Sequence, residues 1–267
     1  MKKYVCLLAV ALFLAACGTK TTEKEKPIAT KSSNEFMTLA VLYHQRAAEV
    51  KAMYYQTFNY AELVFEKDLA EKTIKEKRAV VVDIDETLLD NSPYEAKCVL
   101  ANISYPEQWN EWCSLAKADA LPGAVDFLKH VADSKADVYY ITNRSEKLRE
   151  ATRNNLKAQG FPLVNDEHLL MKTDSTNKEM YRQFVAKTHH ISLLMGDNLS
   201  DFSVLFDKKT VETRTHRADS LHDEFGKRFI VVPNAMYGDW EMAVYLNNTQ
   251  LSEQQKDSLR KANLLGF

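Results

Sequence analysis

Several features that would identify common classes of protein are missing from this chain of 267 residues. The formal net charge is only −2 at pH 7, and no segment concentrates Lys and Arg, so the electrostatic footprint of a nucleic-acid-binding protein is absent. The 7 histidines show no metal-ligand spacing. Neither a Ser-His-Asp arrangement nor a histidine phosphatase signature is present, and no internal repeat is visible. These absences argue against a nucleic acid polymer as partner and against two widespread kinds of hydrolase.

Cysteine is also scarce, with 4 residues in the chain. Cys6 and Cys17 fall in the N-terminal segment described next, which leaves Cys98 and Cys113. Outside the cytoplasm these two residues can form a disulfide. Two buried or free thiols are an equally consistent interpretation, because the sequence gives no Cα–Cα distance.

The N-terminus has the pattern of a lipoprotein signal peptide. A short basic start precedes an apolar run at 4–13, and Leu14-Ala15-Ala16-Cys17 reads as a lipobox. The apolar run is too short for a bilayer-spanning helix, and no later run is long enough either. We expect residues 1–17 to be a signal peptide ending at a lipidated Cys17, which would anchor the protein to a membrane outside the cytoplasm. Gly18 at the next position favours the outer membrane of a Gram-negative cell. The alternative is an ordinary signal peptide that merely contains Cys17.

The rest of the chain divides into a tether and one globular region. Residues 18–34 are polar and rich in Lys, Thr and Ser, which is typical of a flexible tether. Residues 35–267 are predicted to form one α/β domain with an insertion. Residues 36–72 carry apolar and aromatic residues at helical spacing, which predicts one or two helices that pack on the core or on a second subunit.

The globular region alternates between strand and helix patterns. Four apolar runs predict buried strands, at 79–82, 137–141, 191–195 and 229–232. Helical patterns lie at 124–134, 146–159 and 177–187. This alternation predicts an α/β fold with a doubly wound, mostly parallel sheet and helices on both faces.

Two further segments lie outside the alternation. The insertion at about 91–121 interrupts it and is interpreted as a small, mainly helical cap, or second lobe, over the site. The C-terminal stretch at 240–265 predicts two polar amphipathic helices.

Polar motifs follow three of the predicted strands. Asp83-Ile84-Asp85-Glu86-Thr87 ends the first, Thr142-Asn143-Arg144 the second and Gly196-Asp197-Asn198-Leu199-Ser200-Asp201 the third, with Lys178 opening the helix between the last two. Ligands of such sheets bind at the carboxyl ends of the strands. Taken singly, the motifs have local alternatives, namely solvated acids at a strand end and a helix N-cap that places Asp201 on the helix dipole.

The set resembles the haloacid-dehalogenase (HAD) superfamily of phosphohydrolases. The paired-aspartate motifs DxD and DxxxD narrow the resemblance to its DDDD branch and to the lipoprotein class C nonspecific acid phosphatases. Further markers extend it over almost the whole mature chain: Asp90-Asn91-Ser92-Pro93-Tyr94, Trp109, Pro122-Gly123-Ala124, Pro233-Asn234-Ala235, Tyr237-Gly238 and Trp240. Cys98 and Cys113 are not part of the family pattern.

The resemblance implies catalytic roles for four residues. Asp83 would attack phosphorus and form an aspartyl-phosphate. Asp85 would protonate the leaving group and then activate water. Thr142 would donate its hydroxyl to a phosphoryl oxygen, and Lys178 would supply positive charge. Asn143 and Arg144 are expected to support this loop structurally.

The resemblance also implies a Mg²⁺ site, since this ion prefers oxygen ligands and retains water. The expected ligands are the Asp83 and Asp197 carboxylates and the Asp85 backbone carbonyl. Asp201 would act through a bound water or by contacting the residues that bind the ion directly.

The family's substrates are 5′-nucleotides, nicotinamide mononucleotide and aryl phosphates. Trp109 and Tyr237 match the two aromatic positions that sandwich the leaving-group ring in the family; the alternative is a pair of core aromatics under the cap. The family is often dimeric, so a homodimer is an expected assembly.

Three other functions compete with a phosphomonoesterase. A non-catalytic surface binding lipoprotein is opposed by the complete set of motifs. A dehalogenase is opposed by Asp85, which that reaction does not need. A phosphotransferase would deliver the same aspartyl-phosphate to an alcohol instead of water.

Overall fold

The computed structural model describes residues 34–267. The predicted signal peptide, the lipidated Cys17 and all but the last residue of the predicted tether lie outside the described residues. Asn34, the last residue of the predicted tether, has a buried side chain whose amide donates to the Ile103 carbonyl. Asn34 therefore packs against the globular region.

A parallel five-stranded sheet organises the domain. The strands are β1 (Lys77–Val82), β2 (Asp137–Ser145), β3 (Leu169–Lys172), β4 (His189–Gly196) and β5 (Phe229–Val231), in the order β3-β2-β1-β4-β5. All four pairings are parallel. The predicted fold class is confirmed, and the first strand lies at the centre between β2 and β4. This order brings the carboxyl ends of β1, β2 and β4 next to one another.

Ten helices are present among the described residues. Their bounds are α1 (Thr38–Arg46), α2 (Ala48–Leu69), α3 (Ser92–Ala101), α4 (Trp109–Ser114), α5 (Ala124–Asp133), α6 (Arg149–Ala158), α7 (Lys178–Ala186), α8 (Val211–Ser220), α9 (Asp239–Val244) and α10 (Glu253–Ala262). The predicted cap segment contains α3 and α4, and the predicted C-terminal pair corresponds to α9 and α10. Within 34–267, no helix combines the length and apolar character that a membrane-spanning segment needs.

Alternate residues of the strands enter two separate cores, as the period-two geometry of a strand requires. Val80 and Val82 pack in the larger core, which also holds the aromatic side chains of α2 and α5. Val81 packs in the smaller core on the other face, which includes Val185 of α7. Both faces of the sheet are therefore covered, and the strands read as continuous apolar runs for that reason.

The two cysteines of the domain are free thiols. Cys98 and Cys113 are both buried, and no disulfide joins them. Burial raises the pKa of the Cys113 thiol to about 12. Of the two interpretations that the sequence allowed, the structure favours the buried thiols, and a protonated buried thiol behaves as a small apolar side chain.

Candidate active site

Three carboxylates converge at the carboxyl ends of the two central strands. Asp83 follows β1 directly and Asp197 follows β4, while Asp201 lies in the short 3₁₀ helix after Asp197. One oxygen from each of these residues lies within 4.8 Å of the others. The parallel order of the sheet thus assembles acids that are more than a hundred residues apart in the sequence.

Gly196 permits this close approach. A Cβ atom at this position would lie 2.5 Å from the Cβ of Asp201, a distance that side chains do not tolerate. Asp201 also has the local role that the sequence offered as an alternative, because its carboxylate accepts a hydrogen bond from the backbone N–H of Asn198 at 3.1 Å. Asp201 can therefore belong to the acidic site and also cap the start of the short 3₁₀ helix.

Lys178 is held between two of the acids. It is the first residue of α7, whose N-cap Asn177 accepts a hydrogen bond from the backbone N–H of Met180 at 3.0 Å. The Lys178 Nζ donates to Asp83 Oδ1 at 2.5 Å and to Asp201 Oδ1 at 2.6 Å. The predicted cation therefore reaches the predicted nucleophile.

The electrostatics of the centre are those of crowded, desolvated acids. Burial raises the pKa of Asp83 to about 7; Lys178 opposes the rise, and Asp201 and Asp85 add to it. Burial also raises the pKa of Asp197 well above its ordinary value, and the charges of Asp201 and Asp83 raise it further. Burial alone would lower the pKa of Lys178, but the Asp201 and Asp83 carboxylates raise it above its ordinary range. The single positive charge of Lys178 does not neutralise the negative charges of the three carboxylates.

This donor set fits a hard divalent cation such as Mg²⁺. The converging atoms are carboxylate oxygens, which such ions prefer, and the raised pKa values of Asp83 and Asp197 report negative charge that a cation would stabilise. Two asparagine side chains orient the Asp197 carboxylate. Its Oδ2 accepts hydrogen bonds from the Nδ2 atoms of Asn198 (2.9 Å) and Asn234 (2.8 Å). Such outer partners are typical of metal-binding carboxylates.

Asp85 is oriented separately from these three acids. Its Oδ1 accepts hydrogen bonds from Arg144 Nη2 at 2.7 Å and from Asn91 Nδ2 at 2.8 Å. Arg144 is almost wholly buried, and Asn91 in turn is held by Glu86 and by the indole N–H of Trp112. Arg144 is thus a direct partner of Asp85, a contact that the sequence did not predict.

Thr142 and Thr87 occupy supporting positions. Thr142 lies within β2, three residues before its last residue, and is buried; its hydroxyl accepts a hydrogen bond from the backbone N–H of Arg144 at 3.0 Å. It does not line the cavity described below, so its predicted contact with a phosphoryl oxygen stays a prediction. The Thr87 hydroxyl accepts from the backbone N–H of Asp197 at 3.1 Å and donates to Asp83 at 3.4 Å, which links the first motif to the last.

A cavity of about 740 Å³ opens on the acidic centre. Its wall includes Asp83, Asp85, Lys178, Asp197 and Asp201, together with the predicted substrate-binding residues Trp109 and Tyr237. Trp109 contacts the rings of Tyr94 and Tyr105 edge to face and lies under the Arg144 guanidinium. The two predicted aromatic positions therefore reach the same cavity as the acids.

Comparison with known proteins agrees with this geometry. The family model for acid phosphatases of HAD superfamily subfamily IIIB matches residues 13–240. The chain belongs to this family. Its structure is also similar to that of the class C acid phosphatase from Bacillus anthracis, with 42% identity, a TM-score of 0.85 and coverage of 89% of this chain and 100% of that one. A structure of the class C acid phosphatase from Bacillus anthracis with tungstate bound gives 41% identity and the same TM-score of 0.85 and coverage.

These matches confirm the expected class of enzyme. The protein is a class C acid phosphatase, a phosphomonoesterase of the HAD superfamily. A non-catalytic binding lipoprotein and a dehalogenase are therefore no longer the competing interpretations. The individual roles of Asp83, Asp85, Thr142 and Lys178 follow from the family resemblance and from the contacts above, and they stay predictions.

Proposed function

We propose that this acid phosphatase is a Mg²⁺-dependent enzyme that hydrolyses 5′-nucleotides, nicotinamide mononucleotide and aryl phosphates through an aspartyl-phosphate on Asp83. The observation that carries the proposal is the convergence of Asp83, Lys178, Asp197 and Asp201 on one cavity at the carboxyl ends of β1 and β4.

The first half of the reaction uses Asp83 and Asp85. An Asp83 oxygen attacks phosphorus, the bond from phosphorus to the leaving oxygen breaks, and Asp85 gives its proton to that oxygen. Lys178, which contacts Asp83, stabilises the charge that develops on the phosphoryl oxygens. In the second half a water molecule attacks the aspartyl-phosphate and gives a proton to Asp85, which releases phosphate and restores both acids.

The Asp83 and Asp197 carboxylates and the Asp85 backbone carbonyl would hold the cation, and Asp201 would act through a bound water or on the residues that bind the ion directly. When bound, Mg²⁺ would neutralise carboxylate and phosphoryl charge at this site. The structure of the related Bacillus anthracis enzyme with tungstate bound supports a site for tetrahedral oxyanions in this fold. Phosphate is an oxyanion of the same shape.

Trp109 and Tyr237 support the proposed substrate class. Both lie on the cavity wall, and aromatic side chains bind flat rings of many kinds by stacking, with about 1–3 kcal/mol per base. Such stacking explains why nucleotides and simple aryl phosphates would both be accepted. A transferase reaction to an alcohol acceptor would use the same aspartyl-phosphate and is the second candidate.

The deciding experiment measures phosphate release from a 5′-nucleotide and an aryl phosphate at mildly acid pH, by a soluble form that begins after Cys17. Activity with Mg²⁺ that is lost in EDTA and in Asp83→Asn is the expected result. Adding an alcohol acceptor and analysing the products separates hydrolysis from transfer. Retention of activity in Asp83→Asn would overturn the proposed nucleophile.

The proposal also includes attachment outside the cytoplasm, to the outer membrane, through a lipid on Cys17. Its support is the lipobox at 14–17. A homodimer is proposed as well, since Leu39 of α1 and Tyr55, Tyr60 and Leu63 of α2 are exposed apolar side chains. Mass spectrometry of the N-terminal peptide and sedimentation of the soluble form test these two points.

A further inference from the structure

The active-site cavity has a second wall that the proposed reaction does not use. Glu95 of α3, Glu241 of α9 and Glu253 of α10 line the same cavity as the catalytic acids. The cavity volume of about 740 Å³ falls in the range of sites that hold drug-sized molecules, so it has room for a leaving group as well as a phosphate. This wall is therefore where the leaving group would be recognised.

Glu95 differs from the other two acids on this wall. Glu241 accepts a hydrogen bond from the Tyr245 hydroxyl at 2.6 Å, and Glu253 forms an ion pair with Lys256 at 2.8 Å. Glu95 has 7% of its surface exposed, and no residue within 34–267 donates a hydrogen bond to its carboxylate or forms an ion pair with it. The ionised form of a buried carboxyl without a partner is costly, so a group that arrives with the ligand at this cavity wall can stabilise the ionised Glu95.

The charge around Glu95 selects the kind of partner. Burial, together with the negative charge of the neighbouring Glu241, raises the pKa of Glu95 to about 7. The positive side chains nearby are already engaged, since Lys256 pairs with Glu253 and Arg260 donates to the Tyr245 hydroxyl. Below about pH 7 a proton on Glu95 removes its negative charge, whereas above that pH the carboxylate is ionised. A hydroxyl group would then satisfy the hydrogen bonding of Glu95 but not its charge, and a cation would satisfy both.

We propose that Glu95, together with the negative charge of the neighbouring Glu241, binds a positively charged nitrogen on the leaving group of the phosphomonoester. This inference rests on the proposed function, because it assigns the leaving-group side of the same cavity. The favoured substrates would then carry an ammonium or quaternary nitrogen in addition to the phosphate.

Three aryl phosphates of nearly equal shape test the proposal at a pH above 7, where Glu95 is ionised. Tyramine phosphate carries an ammonium group, 4-propylphenyl phosphate replaces it by a methyl group, and 4-(2-hydroxyethyl)phenyl phosphate replaces it by a hydroxyl. The wild-type enzyme should show the lowest KM for tyramine phosphate. Glu95→Gln should raise that KM about tenfold, as expected for a hydrogen bond between charged groups, and leave kcat and the 4-propylphenyl ester nearly unchanged. Glu253→Gln is the matched control, because Glu253 lies on the same wall but is already paired.

The other possible results would contradict either the cation subsite or the proposed function. Equal KM values for the ammonium and methyl compounds in the wild type would overturn the proposal, and so would equal effects of Glu95→Gln and Glu253→Gln. A preference for the hydroxyl compound that depends on Glu95 would replace the cation by a neutral hydrogen-bond donor. If none of the three esters released phosphate, the proposed function would fail instead. Calorimetric binding of tyramine phosphate to wild type and Glu95→Gln would then decide the subsite alone.

Discussion

At the scale of single residues, the site depends on contacts between side chains that are distant in sequence. The acids Asp83, Asp85 and Asp197 could be predicted from their motifs, because Asp83 and Asp197 follow a strand directly and Asp85 lies two residues after Asp83. The Arg144 contact to Asp85 and the unpartnered Glu95 could not, because a helix pattern or a strand end does not reveal which side chain lies opposite. For that reason the sequence predicts only a structural role for Arg144.

Replacing Arg144 should change the chemical step selectively. Arg144 holds Asp85 with its Nε (2.9 Å) and its Nη2 (2.7 Å), whereas a lysine offers a single point of contact. We expect Arg144→Lys to lower kcat for a nucleotide about 10²-fold, the usual contribution of a positioned general acid. The loss should be much smaller for 4-nitrophenyl phosphate, whose leaving group needs little protonation. Steady-state kinetics with both substrates checks this, with Arg153→Lys as the control. Equal losses would indicate a general structural defect.

Glu95 predicts a pH dependence of stability. Its pKa is raised from 4.5 to about 7 in the folded protein, so between these values the unfolded chain loses the proton first. The contribution of Glu95 is therefore most favourable below about 4.5 and falls as pH rises toward 7. Glu95→Gln removes the titrating group, so the variant does not lose this stability as the pH rises. Its free energy of unfolding relative to wild type should increase by about 2 kcal/mol between mildly acid and mildly alkaline pH.

Urea unfolding of both proteins at these two pH values measures the change. The exposed Glu49→Gln variant serves as the control. A difference between wild type and Glu95→Gln that is constant with pH would contradict the raised pKa.

At the scale of elements, the apolar runs that contain β-branched residues predict strands correctly, and the run without them is not recognised. The runs at 79–82, 137–141, 191–195 and 229–232 correspond to β1, β2, β4 and β5. The sequence does not predict β3, because its residues Leu169-Leu170-Met171-Lys172 include no β-branched side chain, whereas the equally short edge strand β5 contains Ile230 and Val231. α8 was missed because its sequence, VETRTHRADS, has too few apolar residues to show a helical stripe.

The start of α7 links an element to the site. Asn177 caps this helix, and the next residue is the predicted catalytic Lys178. We expect Asn177→Ala to cost about 1 kcal/mol of stability and to lower kcat/KM about tenfold, because fraying of the first turn displaces Lys178. Thr210→Ala removes a similar cap from α8 and should cost similar stability with unchanged kcat/KM. Equal effects of the two variants on kcat/KM would show that the position of Lys178 does not depend on its cap.

At the scale of the whole molecule, the repulsion among the buried acids of the active site lowers the free energy of unfolding. Three carboxylates lie within 4.8 Å of one another, and mutual repulsion adds to burial in raising the pKa values of Asp83 and Asp197. Functional sites commonly lower stability in this way, so the removal of one acid should stabilise the protein while it destroys the site.

Asp197→Asn tests this conflict between stability and function. Asparagine keeps an oxygen that accepts from the amides of Asn198 and Asn234, but it removes one negative charge from the centre. In EDTA we expect the variant to be more stable than wild type, by about 1–3 kcal/mol. Mg²⁺ at about a hundred times its dissociation constant should then stabilise the wild type by about 2.7 kcal/mol and the variant much less, because binding to the folded state alone shifts the unfolding equilibrium.

Thermal and urea unfolding with and without Mg²⁺ measures both effects, with the exposed Asp174→Asn as control. If Asp197→Asn gained as much from Mg²⁺ as the wild type does, Asp197 would not be a metal ligand, and the cation would have to bind elsewhere on the protein.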